Sequence, residues 1–184
     1  MHFNLKQSYT PALESYELNE HAVIIDTETV GSGPTIEVIE IALGDVSGQI
    51  LFESIVRPVF NRLPPPSKHG RFDRAAFTAA PYWIDIWPRV AALIDRKLLI
   101  AYNASFDRRA LAAMLSRNAQ TSPERGWRCA MQLVKKIAAT KRSLTLSEAC
   151  ARFGVEGGTH RAARDVEATC RLLHSVRATE IKSS

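Results

Sequence analysis

Ile24-Ile25-Asp26-Thr27-Glu28-Thr29 joins an apolar run to two acids. His21–Glu28 reads as a strand buried on both faces, since its apolar residues run without polar alternation. Side chains two apart in a strand share a face, so Asp26 and Glu28 point the same way, on the side of Ile24. Their Cα atoms then lie about 7 Å apart, close enough for both carboxylates to reach one cation. Such a strand needs no acid in order to fold. Downstream, Ile36–Val46 and Gln49–Arg57 read as two more strands joined by the turn residues Ser47-Gly48. That predicts three sequential strands in an antiparallel meander.

The order then changes from strands to helices. Residues 58–72, with Pro64-Pro65-Pro66 and several basic groups, read as an irregular surface loop. Helices are expected at 73–79 and 84–95, a short apolar strand at Lys97–Asn103, and a helix at Ala104–Asn118. Trp127–Ala139 reads as an amphipathic helix. Another begins at Thr145, where Thr145-Leu146-Ser147-Glu148 has the form of a capping box, and stops at Gly154. The last is expected over Arg161–Ala178. The sum is an α/β domain over residues 21–178, with a leader at 1–20, in which Thr10-Pro11 offers a helix start, and a tail at 179–184.

At 184 residues the chain suits one domain, large enough to bury roughly 70% of the surface its unfolded form exposes. No apolar run approaches the roughly 18 residues of a membrane span. Met1–Lys6 has no charged start followed by an apolar segment, so no secretory signal is read and a cytoplasmic protein is expected. Cys129, Cys150 and Cys170 form no CxxC pair and read as small buried hydrophobes. The formal charge of +5 favours polyanionic partners through counterion release, a weak signal by itself.

Three further polar groups stand where helices begin. Asp107, in Asn103-Ala104-Ser105-Phe106-Asp107, falls in the first turn of a helix for which Asn103 is the expected cap. The helix dipole favours an acid there by about 0.3–1 kcal/mol, which is reason enough for it taken singly. The same applies to Asp165 in His160-Arg161-Ala162-Ala163-Arg164-Asp165. Yet Asp165 also borders the core-facing stripe of Ala162, Val166, Leu173 and Val176, which an ordinary surface acid does not. His160 follows Gly157-Gly158, two glycines that let the loop move. If the fold gathers these acids, divalent cations are their natural partners.

Together the motifs resemble the DEDDh group of 3′–5′ exonucleases. The group's DxE at the end of the first strand is matched by Asp26-Thr27-Glu28, and its following apolar strand by Val38-Ile39-Glu40-Ile41-Ala42. Its second motif is matched by Tyr102-Asn103-Ala104-Ser105-Phe106-Asp107, and its third, HxAxxD, by His160 to Asp165. The resemblance covers about residues 21–175. Tyr102 replaces a histidine common in the group, Cys129 stands where many members have aspartate, and a leucine that packs on the terminal base would fall near Ser32.

The resemblance implies an RNase H-like fold, a central mixed sheet flanked by helices. It implies that Asp26, Glu28, Asp107 and Asp165 hold two Mg²⁺ or Mn²⁺ ions, with His160 as general base. Ions about 3.5–4 Å apart clamp the attacking and leaving oxygens of an in-line displacement. The expected substrate is the 3′ end of single-stranded DNA or RNA, and the expected products are nucleoside 5′-monophosphates. Thr27, Thr29, Val30 and Asn103 are the expected contacts to the terminal nucleotide, with Val30 in place of the missing leucine. Phe106, Trp83, Trp87 and Trp127 sit in apolar contexts that suit the core better than base stacking. Arg161 and Arg164 suit phosphate contacts or a solvated face equally. Endonucleolytic cleavage on the same fold is one alternative. Another is a binding or polymerase-associated module without activity, and a homodimer is also compatible with the resemblance.

Overall fold

The computed structural model describes residues 18–61 and 74–183. The Thr10-Pro11 helix start and most of the 58–72 loop therefore lie outside the described residues. Strands β1 (Ala22–Val30), β2 (Glu37–Gly44) and β3 (Ile50–Ile55) form the expected antiparallel meander. The turn between β2 and β3 is fixed by one carboxylate: Asp45 accepts from the Ser47 and Gln49 amides at 2.8 and 3.0 Å. Gly48 supplies the positive φ, +92°, that closes it.

Helices α1 (Arg74–Ala79) and α2 (Trp83–Ile94) lead to β4 (Leu98–Ala101), which pairs parallel to β1. Helix α3 (Ala104–Arg117) follows at once, then β5 (Gly126–Cys129), α4 (Ala130–Ile137), α5 (Leu146–Arg152) and α6 (Ala162–Ser183). The sheet order is β3-β2-β1-β4-β5, so β1 lies at the centre of a mixed sheet. Here one expectation is corrected. Trp127–Cys129 is not the start of a helix; with Gly126 it pairs parallel to β4, and the helix begins only at Ala130. Helix α6 continues past Ala178 to Ser183.

Alternate side chains of β1 serve different layers. Val23 and Ile25 pack with α2 and α3, against Trp83, Val90 and Leu111. Ile24 faces the other way, toward Leu133, Ala149, Val166 and Leu172 of α4, α5 and α6. Each face of the sheet is thus covered by helices, as a strand with apolar side chains on both faces requires. Trp83 and Trp87 are core residues, stacked at 5.5 Å between ring centroids. Cys150 and Cys170 are buried thiols, whereas Cys129 is half-buried.

Helix α6 lies unusually close to β2. A Cβ at Gly44 would stand 2.6 Å from Cγ1 of Val166, so only glycine leaves room for this crossing. The start of α6 is thereby brought over the middle of β1.

Candidate active site

Asp26 and Glu28 project from β1 on the face of Ile24, toward α6. A register irregularity falls between Glu28 and Thr29: Glu28 pairs with Glu40, but Thr29 pairs with Val38. Ile39 is the extra residue, a bulge that re-aims the end of the strand. Beyond it, Val30 packs with Ile39 and Phe77.

Asp107 arrives through β4. Ile24 pairs with Ile100, so the chain leaves β4 level with Asp26 and turns directly into α3. The Asp107 carboxylate then reaches β1 itself: its Oδ1 accepts from the Thr27 amide at 3.0 Å and from Thr27 Oγ1 at 2.8 Å. Only 3% of Asp107 is exposed, far from the open helix start that the dipole alone would explain. Asn103 does occupy the cap position, but its side chain takes no backbone amide; its Oδ1 accepts from Ser105 Oγ at 3.0 Å. Tyr102, in the histidine's place, points into the core and donates to the Leu144 carbonyl at 2.8 Å, tying the α5 capping box to β4.

Asp165 is also buried, at 8% exposure, in line with Thr169 and Leu172 as the helical spacing predicts. Its Oδ1 accepts from the Thr159 and His160 amides at 2.9 and 3.1 Å. Gly158 is packed against this carboxylate, because a Cβ there would lie 2.7 Å from Asp165 Cγ. The glycine serves close approach, a role beyond the loop freedom read from the sequence. His160 is exposed and adopts φ +56°, the left-handed region that few non-glycine residues occupy. Ligand atoms of Glu28, His160 and Asp165 all lie within 4.8 Å of one another. Distant stretches of chain have therefore been brought to one place.

The electrostatics report the same convergence. Burial raises the Asp26 carboxyl well above the usual carboxylate range, and Asp107, Asp165, Glu28 and Glu40 raise it further. Asp107 is pushed up to about 6, chiefly by burial, against the opposing bonds from Thr27. A group of acids that repel one another in this way favours a cation, because a positive charge removes the penalty on the ionised forms. Carboxylate oxygens suit a hard divalent ion, and Glu28 and Asp165 offer them with the His160 imidazole alongside.

One acid in this neighbourhood had no role assigned from sequence. Glu40, 4% exposed, takes Nε of Arg161 on both oxygens at 2.9 and 3.2 Å. Its signal was present: like Asp26, it is an acid inside an apolar strand. Arg164 instead pairs with Glu167 one turn along its own helix, at 2.9 Å. Of the expected nucleotide contacts, Thr27 is buried beneath Asp107 and Val30 is buried, while Thr29 is half-buried and Asn103 is exposed. Phe106 and Trp127 are half-buried, and Trp127 Nε1 donates to Glu124 at 2.9 Å.

A family model described as exonuclease, of the RNase T group, matches residues 23–173. An uncharacterised exonuclease of Escherichia phage 186 is 36% identical over 96 residues, covering 50% of this chain and 47% of the phage protein. A Mycobacterium tuberculosis protein whose name pairs exonuclease with endonuclease is 27% identical, over 92% of this chain and 28% of its own length. The chain thus spans less than half the length of these curated relatives. Among solved structures, exonuclease X in complex with 5′-overhanging duplex DNA is 26% identical with a TM-score of 0.64, covering 86% of this chain and 92% of that one. The nuclease domain of 3′hExo, a DEDDh family member bound to rAMP, shares the fold at 17% identity and a TM-score of 0.65, over 87% of this chain and 92% of that one. The chain belongs to the exonuclease family that the matching family model describes, and its mixed sheet has the RNase H-like fold.

Proposed function

We propose that this chain is a metal-dependent 3′–5′ exonuclease that releases nucleoside 5′-monophosphates from single-stranded DNA or RNA. One observation carries the reading: ligand atoms of Glu28 on the central strand and of His160 and Asp165 at the start of α6 lie within 4.8 Å of one another. Beside them, the Asp26 carboxyl is raised first by burial and then by Asp107 and Asp165. Asp26, Glu28, Asp107 and Asp165 would hold two Mg²⁺ or Mn²⁺ ions, whose charge would stabilise the attacking and leaving oxygens of an in-line displacement.

The chain's own residues do the rest. Thr27 holds Asp107 by two hydrogen bonds to one carboxylate oxygen, which fixes the direction in which the carboxylate would meet a cation. Asp165 is held through its Oδ1 by the Thr159 and His160 amides. His160, exposed beside Glu28 and Asp165, accepts the proton of the attacking water; imidazole suits this because its ordinary pKa, about 6.5, lies near working pH. Thr29, Val30 and Asn103 would receive the terminal nucleotide, with Thr27 acting through Asp107. The net charge of +5 on a chain that commits four acids to one site leaves a surface suited to a polyanion.

End-labelled single-stranded DNA and RNA, and a duplex with a 5′ overhang, incubated with Mg²⁺ or Mn²⁺, test the proposal. Stepwise shortening from the 3′ end supports it. Internal cuts would make the chain an endonuclease, and binding without cleavage would make it a nucleic-acid-binding or polymerase-associated module.

A further inference from the structure

The loop that carries His160 is held at two places, and only one of them is a proposed metal ligand. Asp165 secures the Thr159 and His160 amides. On the other side, Arg161 and Ala162 reach across to Glu40: Arg161 Nε sits 2.9 Å from Oε1, and the Ala162 amide donates to the same carboxylate. Arg161 also begins α6, since its carbonyl accepts from the Asp165 amide at 2.9 Å. Glu40 is buried in β2, directly opposite Glu28 in the ladder. An acid 121 residues away in sequence thus grips the two residues that follow His160.

Such a grip is costly to build. Burying a carboxylate in an apolar strand is unfavourable unless its oxygens are bonded, and removing one partner leaves the other uncompensated. The loop also holds His160 at φ +56°, a conformation that persists only where its surroundings over-determine it.

We infer that Glu40 and Arg161 are positioning residues for the proposed reaction, a clamp between β2 and the start of α6 that fixes where the His160 imidazole stands. The inference rests on reading His160 as the base. It assigns the Arg161 guanidinium to Glu40 and not to a substrate phosphate. Partners of this kind, one step removed from a metal site, change activity by about 10–100-fold when lost.

Glu40→Gln, Arg161→Lys, Arg161→Gln and the double Glu40→Gln/Arg161→Gln variant separate the possibilities. Glutamine at position 40 keeps the shape and an acceptor, and lysine at half-exposed position 161 keeps the charge, so these two stay folded. Two measurements are made: steady-state kcat and KM on an end-labelled oligonucleotide with Mg²⁺, and hydrogen exchange of the 159–162 amides in metal-free protein. The clamp predicts that each single variant lowers kcat by about 10–100-fold with KM little changed. It predicts that the double variant is no worse than the poorer single one, and that the 159–162 amides exchange faster in all. A raised KM in Arg161→Gln with kcat unchanged in Glu40→Gln would make Arg161 a phosphate contact and overturn the inference. Unaltered exchange in Glu40→Gln would overturn it as well. Inactivity of the unsubstituted protein would instead sink the exonuclease reading, and the exchange rates would still decide whether the clamp exists.

Discussion

The starts of α3 and α6 do the same job by different means. Each places an aspartate in its first turn at the central strand, Asp107 in one case and Asp165 in the other. Helix α3 follows β4 after a two-residue turn, and β4 is paired with β1, so Asp107 bonds directly to Thr27 of β1. Helix α6 has no neighbouring strand to place it. Its start is set by close packing over Gly44, by amides of its own loop on Asp165, and by Glu40. One half of the site is built with the sheet, while the other is docked onto it. Rigidity in the first comes from short-range connection; in the second it must come from side chains.

The largest effects should come from the acids, and they should differ between the halves. Asp26→Ala, Asp107→Ala and Asp165→Ala should each abolish Mg²⁺-dependent hydrolysis in protein that circular dichroism shows to be folded. Only Asp165→Ala should also speed exchange of the Thr159 and His160 amides; equal exchange in Asp107→Ala would erase the distinction. Full activity in Asp165→Ala would remove that residue from the site.

His160→Ala should lower kcat by about 10²–10⁴ and flatten the acidic limb of the pH–rate profile. An unchanged rate and profile would remove His160 as base.

Next in size is the effect of metal on stability. Asp107 titrates near 6 in the folded chain, against about 3.9 for an unfolded aspartate, and Asp26 is displaced in the same direction. Between these values the folded state binds more protons than the unfolded one. Stability therefore falls as pH rises through about 4 to 6 and stays low above that. Metal-free protein should lose about 2–4 °C in Tm for each kcal/mol of this penalty. Added Mg²⁺ should raise Tm more at pH 7.5 than at pH 5, and an equal rise at both would count against a carboxylate site.

Two single-residue changes sharpen the contrast between halves. Gly158→Ala should displace the Asp165 carboxylate, costing about 1–3 kcal/mol in urea unfolding together with most of the activity. Thr27→Val removes only the hydroxyl bond to Asp107 and leaves the amide bond, so about 1 kcal/mol and a modest loss of rate are expected. If the Thr27 change proved the more damaging, the sheet-built half would be the fragile one.

Where the sequence was read wrongly, the cause was local. Gly126–Cys129 is a four-residue strand running straight into α4. A strand that short carries too little periodicity to be told from a helix start, and its pairing partner, β4, lies outside any local window. The capping box at Thr145 was legible because both partners are three residues apart: the Glu148 amide meets Thr145 Oγ1 at 3.2 Å, and the Thr145 amide meets Glu148 at 2.8 Å. Asn103 shows the opposite failure, a good cap residue whose side chain was taken by Ser105.

Residue type and spacing alone determined that Asp26 and Glu28 share a strand face, that Asp165 borders a core stripe, and that helices begin near Asp107 and His160. These are consequences of backbone periodicity, which acts within a few residues. Only the tertiary structure decided that Glu40 holds Arg161, that Gly158 makes room for a carboxylate, and that Thr27 fixes Asp107. The Glu40–Arg161 and Thr27–Asp107 contacts join residues 121 and 80 apart in sequence within about 3 Å, the reach of a hydrogen bond. Gly158 meets Asp165 only because its loop folds back over the start of α6. No local rule specifies such a meeting, because it arises only when the packed layers set the distances between strands and helices.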